Sequence, residues 1–417
     1  MKRIWCYLFL FCLIIPAKAQ LTWESCQEKS RDNYPLIRQY ALIEKSRDYS
    51  LANVQKGNLP QISLQGKASY QSDVTSLPFD IPQIPDELQP RDQYQAVIHI
   101  QQNLWDGGNI QSKKKEIKAI SEEKQAELHV NLYALRERIN QLYFGILLLD
   151  EQIKQNKLWQ EQLSRSLKNV SAYCQNGIAN QTDLDAIQVD QIKARQEAVG
   201  LQSKRDAYLR MLSLFIGETL TNNIQLEKPV ASGSFPNEIK RPELTWYAAQ
   251  EQRLLIQEQH LKTQLMPQLS LFAQGGYANP GLNMLQDKFQ TYYIVGARLN
   301  WNFGALYTLK NDRLKIHTER DMIRNQTVTF LFNTNLQLTE QSSAIQTLQK
   351  QMEEDDEMIR LQTHIREAAE AKVGNGTLSV TDMLQEITKE NMAKQQKAVH
   401  EIELLMNIYQ QKHITNN

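Results

Sequence analysis

The sequence is short of what most enzymes and helical membrane proteins require. It has no Cys-x-x-Cys, no His-Glu-x-x-His, no Gly-x-Ser-x-Gly and no glycine loop of the kind that cradles phosphate. Its seven histidines are scattered, so no metal or cofactor site is expected and the chain does not read as an enzyme. Cysteine is scarce: beyond Cys6 and Cys12, near the start, only Cys26 and Cys174 remain, and these are expected to be unpaired thiols. Proline and glycine are few, at 12 and 16 residues in 417, which favours long uninterrupted elements. Lys and Arg together number 47, as do Asp and Glu, and no basic patch suggests the phosphate-neutralising surface a nucleic-acid binder needs. After the first residues no apolar run is long enough for a membrane helix.

The one apolar run, Ile4 to Ile15, follows the basic pair Lys2-Arg3 and precedes Ala17-Lys18-Ala19. This is the layout of a secretory signal peptide, expected to span 1–19. Cys12 follows Phe11, a bulky residue, so a lipid anchor is not expected. Loss of Lys2, Arg3 and Lys18 leaves 44 basic against 47 acidic residues.

The chain repeats itself once. Pro60-Gln-Ile-Ser-Leu64 returns as Pro267-Gln-Leu-Ser-Leu271, Leu104-Trp105-Asp106-Gly107-Gly108 as Asn300-Trp301-Asn302-Phe303-Gly304, and Asn176-Gly177 as Asn375-Gly376. Pro60 to Pro267, Trp105 to Trp301 and Gly177 to Gly376 are offset by 207, 196 and 199 positions, so order is kept while loops change length. Each copy reads as helix, two strands, long helix, sharp turn and helix. The first copy is expected over 20–217, a linker containing Pro229, Gly233 and Pro236 over 218–240, and the second copy over 241–417. Pro78, Pro82, Pro85 and Pro90 mark a surface loop between the first copy's strands.

The strands alternate. Ile62, Leu64, Ala68 and Tyr70 share one face, while Ser63, Gln65, Lys67 and Ser69 share the other. Phe289, Tyr293, Val295, Ala297, Leu299, Trp301 and Phe303 oppose Gln290, Arg298, Asn300 and Asn302. His99 falls on the polar face of a less regular strand, 94–105. Each strand has the length that crosses a bilayer at a tilt, with aromatics near the ends of its apolar face. A half-buried soluble sheet shows the same alternation, but these helices are too long to serve as its cover. Four strands cannot close a barrel, and open edges are not tolerated in lipid. Three copies give twelve strands, with Lys67, His99 and Arg298 expected to face the lumen.

From Asn109 to Tyr173 there is no proline and one glycine, Gly145, a run of ~95 Å if helical. Leu132, Leu135, Ile139, Leu142, Ile146, Leu149 and Ile153 form a coiled-coil seam. In the second copy Leu331, Leu338, Ile345, Met352 and Ile359 step by seven, but Thr334, Gln341 and Asp355 between them are polar. Burial of such groups is costly, so these helices are expected to border a water-filled lumen.

In these duplicated strand entries, strand exits and turns (Tyr173-x-x-x-Gly177-x5-Asp183-Leu184), the whole mature chain resembles the TolC-like outer-membrane efflux protein family. The resemblance implies a mainly α fold with a transmembrane β-barrel: a homotrimer with a twelve-stranded barrel in outer-membrane lipid and a twelve-helix periplasmic tunnel. It implies as partners a periplasmic adaptor and an inner-membrane transporter, with Gly177, Ile178, Gly376 and Thr377 contacting the adaptor. The glycines equally suit simple helix reversal. Asp183 and Asp382 would ring a periplasmic gate and favour cations, or else cap the returning helices, as Thr182 and Thr381 also could. Tyrosine and arginine of the gated relatives are replaced by Val373 and Leu378, for which an apolar constriction is expected. The rival reading is a periplasmic coiled-coil adaptor or scaffold without a pore, which would show one helical hairpin where this sequence has two.

Overall fold

The computed structural model describes residues 21–75, 90–230, 238–284 and 286–416. The expected signal segment, Pro78, Pro82, Pro85, Gly233 and Pro236 lie outside them. The elements run α1 (Trp23–Asn33), a 3-10 turn (Pro35–Arg38), α2 (Gln39–Lys56), β1 (Gln61–Tyr70), β2 (Asp92–Trp105), α3 (Asn109–Gln175), α4 (Gln181–Ile216), α5 (Pro242–Thr263), β3 (Gln268–Asn279), β4 (Gln290–Asn300), α6 (Ala305–Gly374) and α7 (Val380–Thr415). Helix, strand pair, long helix and shorter helix thus occur twice, as the duplicated landmarks require. None of the described helices is long and apolar enough to cross a membrane. The chain forms two compact units, and each draws on both repeats.

One unit, Arg38–Val130 with Pro242–Leu331, carries an antiparallel sheet in the order β1-β2-β3-β4. The hairpin of each repeat is closed on itself, and β2 joins β3 across the repeats. Strands give way to helices through the duplicated Trp-Asx motif. Asp106 accepts hydrogen bonds from the backbone of Gly108 (2.9 Å) and Ile110 (2.6 Å), and Asn302 accepts one from Gly304 (2.9 Å). These side chains satisfy donors that a helix start leaves unpaired.

The other unit contains the chain up to Ile37, Asn131–Arg241 and the chain from Phe332. Its larger core gathers Ile139, Leu142, Tyr143, Phe144 and Ile146 of α3, Leu209 and Leu212 of α4, and Ile402, Leu405 and Tyr409 of α7. The seam residues Leu132 to Leu149 are buried and Ile153 is half-buried. Gly145 marks a close approach: a Cβ there would lie 2.6 Å from the Tyr208 ring on α4.

Residues 21–27 and 222–230 strap this core. Leu21 bridges Leu226, and the Tyr143 hydroxyl lies 2.9 Å from the Leu21 carbonyl and 2.7 Å from that of Glu227. Arg205 pairs with Asp150 and donates to the carbonyls of Asn222 (2.7 Å) and Ile224 (2.9 Å). Cys26, part of the first strap, is fully buried against the core, its thiol pushed up to about 12 by burial, and Cys174 is also free.

The polar positions of the second long helix depart from expectation. Thr334 and Asp355 are buried within the protomer and do not border open water. What makes this affordable is pairing with α7. Gln341 donates to Asn407, and the Asp355 carboxylate lies 2.8 Å from Nδ1 of His400. Nearer the turn, Glu390, 1% exposed, pairs with Arg366 (2.6 Å) and Lys394 (2.7 Å) and accepts from the Thr363 hydroxyl (2.8 Å). The heptad pattern foretold the seam, but a single helix could not reveal that its polar members had partners on the next.

Burial alone would raise the Glu390 carboxyl, but hydrogen bonds from Lys394 and Thr363 and the charges of Lys394 and Arg366 outweigh it and hold the group below the ordinary carboxylate value. A depressed carboxylate contributes stability that is complete at neutral pH and is lost as pH falls through its folded pKa. Glu390→Gln is therefore expected to destabilise the protein by about 3 kcal/mol at pH 7, with a smaller difference from the parent below the carboxylate range. Denaturant unfolding at pH 7 and pH 3.5 measures both; an equal loss at the two values would contradict the assignment.

Candidate functional site: an apolar sheet face and a paired-glycine tip

The sheet presents two unlike faces. Its pairing aligns Ser63 with His99 and Gln274, Lys67 with Gln95, Ala278 and Gln290, and Asn103 with Ser270 and Arg298. Lys67, His99 and Arg298 therefore share one face, as the alternation required. Arg298 is steadied there by the Phe272 ring, 5.1 Å from its guanidinium, and Gln95 donates to the Tyr292 hydroxyl (2.7 Å). Two of the rings on this face lie across glycines: a Cβ on Gly276 would meet Tyr292 at 2.5 Å, and one on Gly296 would meet Phe272 at 2.8 Å.

The opposite face is apolar and uncovered. Ile62, Leu64, Tyr70, Ile98, Ile100, Leu271, Tyr277, Tyr293, Val295 and Leu299 all lie exposed on it, Leu64 by 74% and Tyr293 by 78%. Strict alternation would put Trp105 on the polar side. A bulge at Leu104 shifts the register so that Trp105 pairs with Leu269 and joins Trp301 and Phe303 at the helix end of the apolar face. That irregularity is why the strand reads less cleanly in sequence. At the loop end Tyr94 and Tyr277 contact Phe289, with ring centres 6.2 and 5.1 Å apart. From Tyr94 to Trp105 the strand rises ~36 Å, or ~27 Å at a ~40° tilt, close to the height of an outer-membrane apolar band.

In the other unit, the two helical hairpins reverse through matching turns. The Ile178 amide donates to the Tyr173 carbonyl (2.9 Å) and Gly177 to Cys174 (3.1 Å); Thr377 donates to Lys372 (2.9 Å) and Gly376 to Val373 (2.9 Å). Both are Schellman closures with the glycine left-handed, at φ 74° and 70°. No atom lies within 4 Å of where a Cβ would stand at either glycine, so the protomer itself demands only their backbone conformation. Ile178 and Thr377 are exposed beside them.

Asp183 and Asp382 are not the caps of the returning helices, and neither are Thr182 and Thr381. Asn180 and Ser379 are, each accepting from the amide three residues on, at 3.0 and 3.1 Å. Asp183 answers by accepting from the Asn180 amide (2.9 Å), and Asp382 accepts from the Ser379 hydroxyl (2.7 Å). Asn180-x-x-Asp183 and Ser379-x-x-Asp382 are capping-box spacings that the sequence already displayed. Val373 also needs correction. It is 1% exposed in a core with Leu163, Val170, Ile187 and Met383, because it sits one turn before Gly376 where α6 faces the neighbouring hairpin. It cannot line an opening in this conformation. Leu378 is half-buried against the same core.

Residues 27–218 match the outer membrane efflux protein family. The sequence match is confined to the first repeat. The fold likeness extends over nearly the whole chain. It is similar to the outer-membrane channel OprN (14% identity, 94% of this chain and 89% of that one, TM-score 0.69). It is also similar to the outer membrane protein VceC of Vibrio cholerae (13%, 93% and 95%, TM-score 0.67). A third match is the open state of the Neisseria gonorrhoeae MtrE outer membrane channel (10%, 95% and 89%, TM-score 0.66). At such identities these structures speak for the fold. No curated protein matches the sequence.

The two caps can be tested directly. Asn180→Ala and Ser379→Ala are each expected to cost about 1 kcal/mol. Hydrogen exchange should speed up in the first turn of α4 or α7 alone; unchanged protection there would show that the caps contribute nothing.

Proposed function

We propose that this chain is an outer membrane efflux protein, the exit duct of a multi-component efflux or secretion pump, passively conducting cargo handed over from the periplasm. The observation that carries the reading is the uncovered apolar face of a four-stranded sheet with both edges open. Apolar residues on that scale, bounded at each end by aromatics, suit contact with lipid. Open edges in lipid require closure. Three protomers, each pairing its β4 with the next copy's β1, would close a twelve-stranded barrel with Lys67, His99 and Arg298 inside.

On this reading the repeats 20–217 and 241–417, joined by 218–240, supply the tunnel helices. Gly177, Ile178, Gly376 and Thr377 form the surface met by a periplasmic adaptor that links the duct to an inner-membrane transporter. The open space beside both glycines supports this, since a partner backbone could approach closely there. Asp183, Asp382 and Leu378 border the periplasmic gate. The capping bonds hold both carboxylates at the tip of the hairpins, and three copies would concentrate them at its narrow end.

The mass of the purified protein and its behaviour in planar bilayers test the proposal. A trimer forming small stable pores is expected. A soluble monomer or dimer without membrane activity would reject it and favour the pore-less scaffold.

A further inference from the structure

We infer that the barrel wall is an anion-preferring filter whose charge is set by Lys67 and Arg298. The inference rests on the duct reading, which makes the polar face of the sheet the inner wall. Pairing across the sheet places on that face Gln61 to Ser69 of β1, Gln93 to Asn103 of β2, Ser270 to Ala278 of β3 and Gln290 to Asn300 of β4, alternate residues in each case. No Asp or Glu occurs among these side chains. Lys67 and Arg298 are the fixed charges, one towards each end, with His99 in a row between them.

Acidic residues near the sheet have other positions. Asp92 begins β2 opposite Tyr70 on the apolar side, Asp73 accepts from the Val74 amide (2.9 Å) in the loop after β1, Asp106 is held by the amides of Gly108 and Ile110, and Asp287 accepts from Asn279 (3.0 Å) in the loop beyond β3. Two cations per protomer make six in a trimer, uncompensated along the wall. A low-dielectric wall focuses such a field into the water it encloses, and rings of Lys and Arg favour anions. The stacking of Arg298 on Phe272 keeps one ring at a defined height. The ~10 Å screening length at 0.1 M salt lets both rings act on ions crossing the lumen. The filter opposes in sign the carboxylates proposed at the periplasmic gate, so it favours anionic cargo at the exit whatever the entrance admits.

The test is the reversal potential of the full-length trimer in planar bilayers under a tenfold KCl gradient. Compared with the parent, the Lys67→Glu/Arg298→Glu double variant should lower the chloride-to-potassium permeability ratio by roughly threefold or more near 0.1 M salt, and by less near 1 M, where screening shortens to ~3 Å. Lys67→Gln/Arg298→Gln should move the ratio the same way by a smaller amount, and it carries the test if charge inversion prevents assembly. Channels of equal conductance with one ratio in parent and variants would overturn the filter and leave the duct standing. A parent protein that forms no channel would overturn the duct reading and the filter together.

Discussion

A backbone amide or carbonyl left unpaired in hydrocarbon costs several kcal/mol, and an isolated protomer of this fold carries a row of them along β1 and another along β4. Both edges flank a face that is apolar from Tyr94 to Trp105. Neither the sheet's own hairpins nor the pairing of β2 with β3 removes them. Under the proposed function the edges are what makes the protomer incomplete, and satisfying them with a neighbour's edge is what turns a four-stranded sheet into a wall. The aromatic clusters at its ends and the bulge that turns Trp105 outward are useful only once that wall stands in lipid.

The helices meet a different constraint, which they solve in two ways. The α3 seam is dry: Leu132, Leu135, Ile139, Leu142, Ile146 and Leu149 are buried, and Gly145 admits the Tyr208 ring. The α6 seam is broken by polar groups that α7 meets, His400 against Asp355 and Asn407 against Gln341, while Glu390 of α7 is met in turn by Arg366 of α6 and by Lys394 of its own helix. Removing either member of such a pair strands the other in a site with little water, which makes the pairing more specific than it is stabilising.

Much of this was legible in the sequence, and for identifiable reasons. Duplication revealed the element order, because Pro60, Trp105 and Gly177 each recur where the chain must change direction. Alternation revealed both faces of the sheet, including the shared side of Lys67, His99 and Arg298. What sequence could not show were relations between elements. The burial of Asp355 depends on a histidine 45 positions away, and that of Val373 on the neighbouring hairpin. The caps are a different case: Asn180 and Ser379 were readable from spacing alone, but the more conspicuous aspartates drew the assignment.

The unequal seams bear on how a duct of this kind could open. To part the α3 hairpin from its surroundings, the chain would have to expose the Ile139–Tyr143–Ile146 core, at about 25 cal/mol for each Å² of apolar surface returned to water. Parting α6 from α7 between Gln341 and Asp355 would instead exchange hydrogen bonds and an ion pair for hydration, a near-balanced trade when water reaches both partners. The strap residues Leu21, Leu226 and Tyr143 add their bonds to the dry side. At the tip the balance is more even, because Val373, Met383 and Ile387 of the second hairpin share an apolar core with Leu163, Val170 and Ile187 of the first, and parting the hairpins there returns apolar surface of both to water.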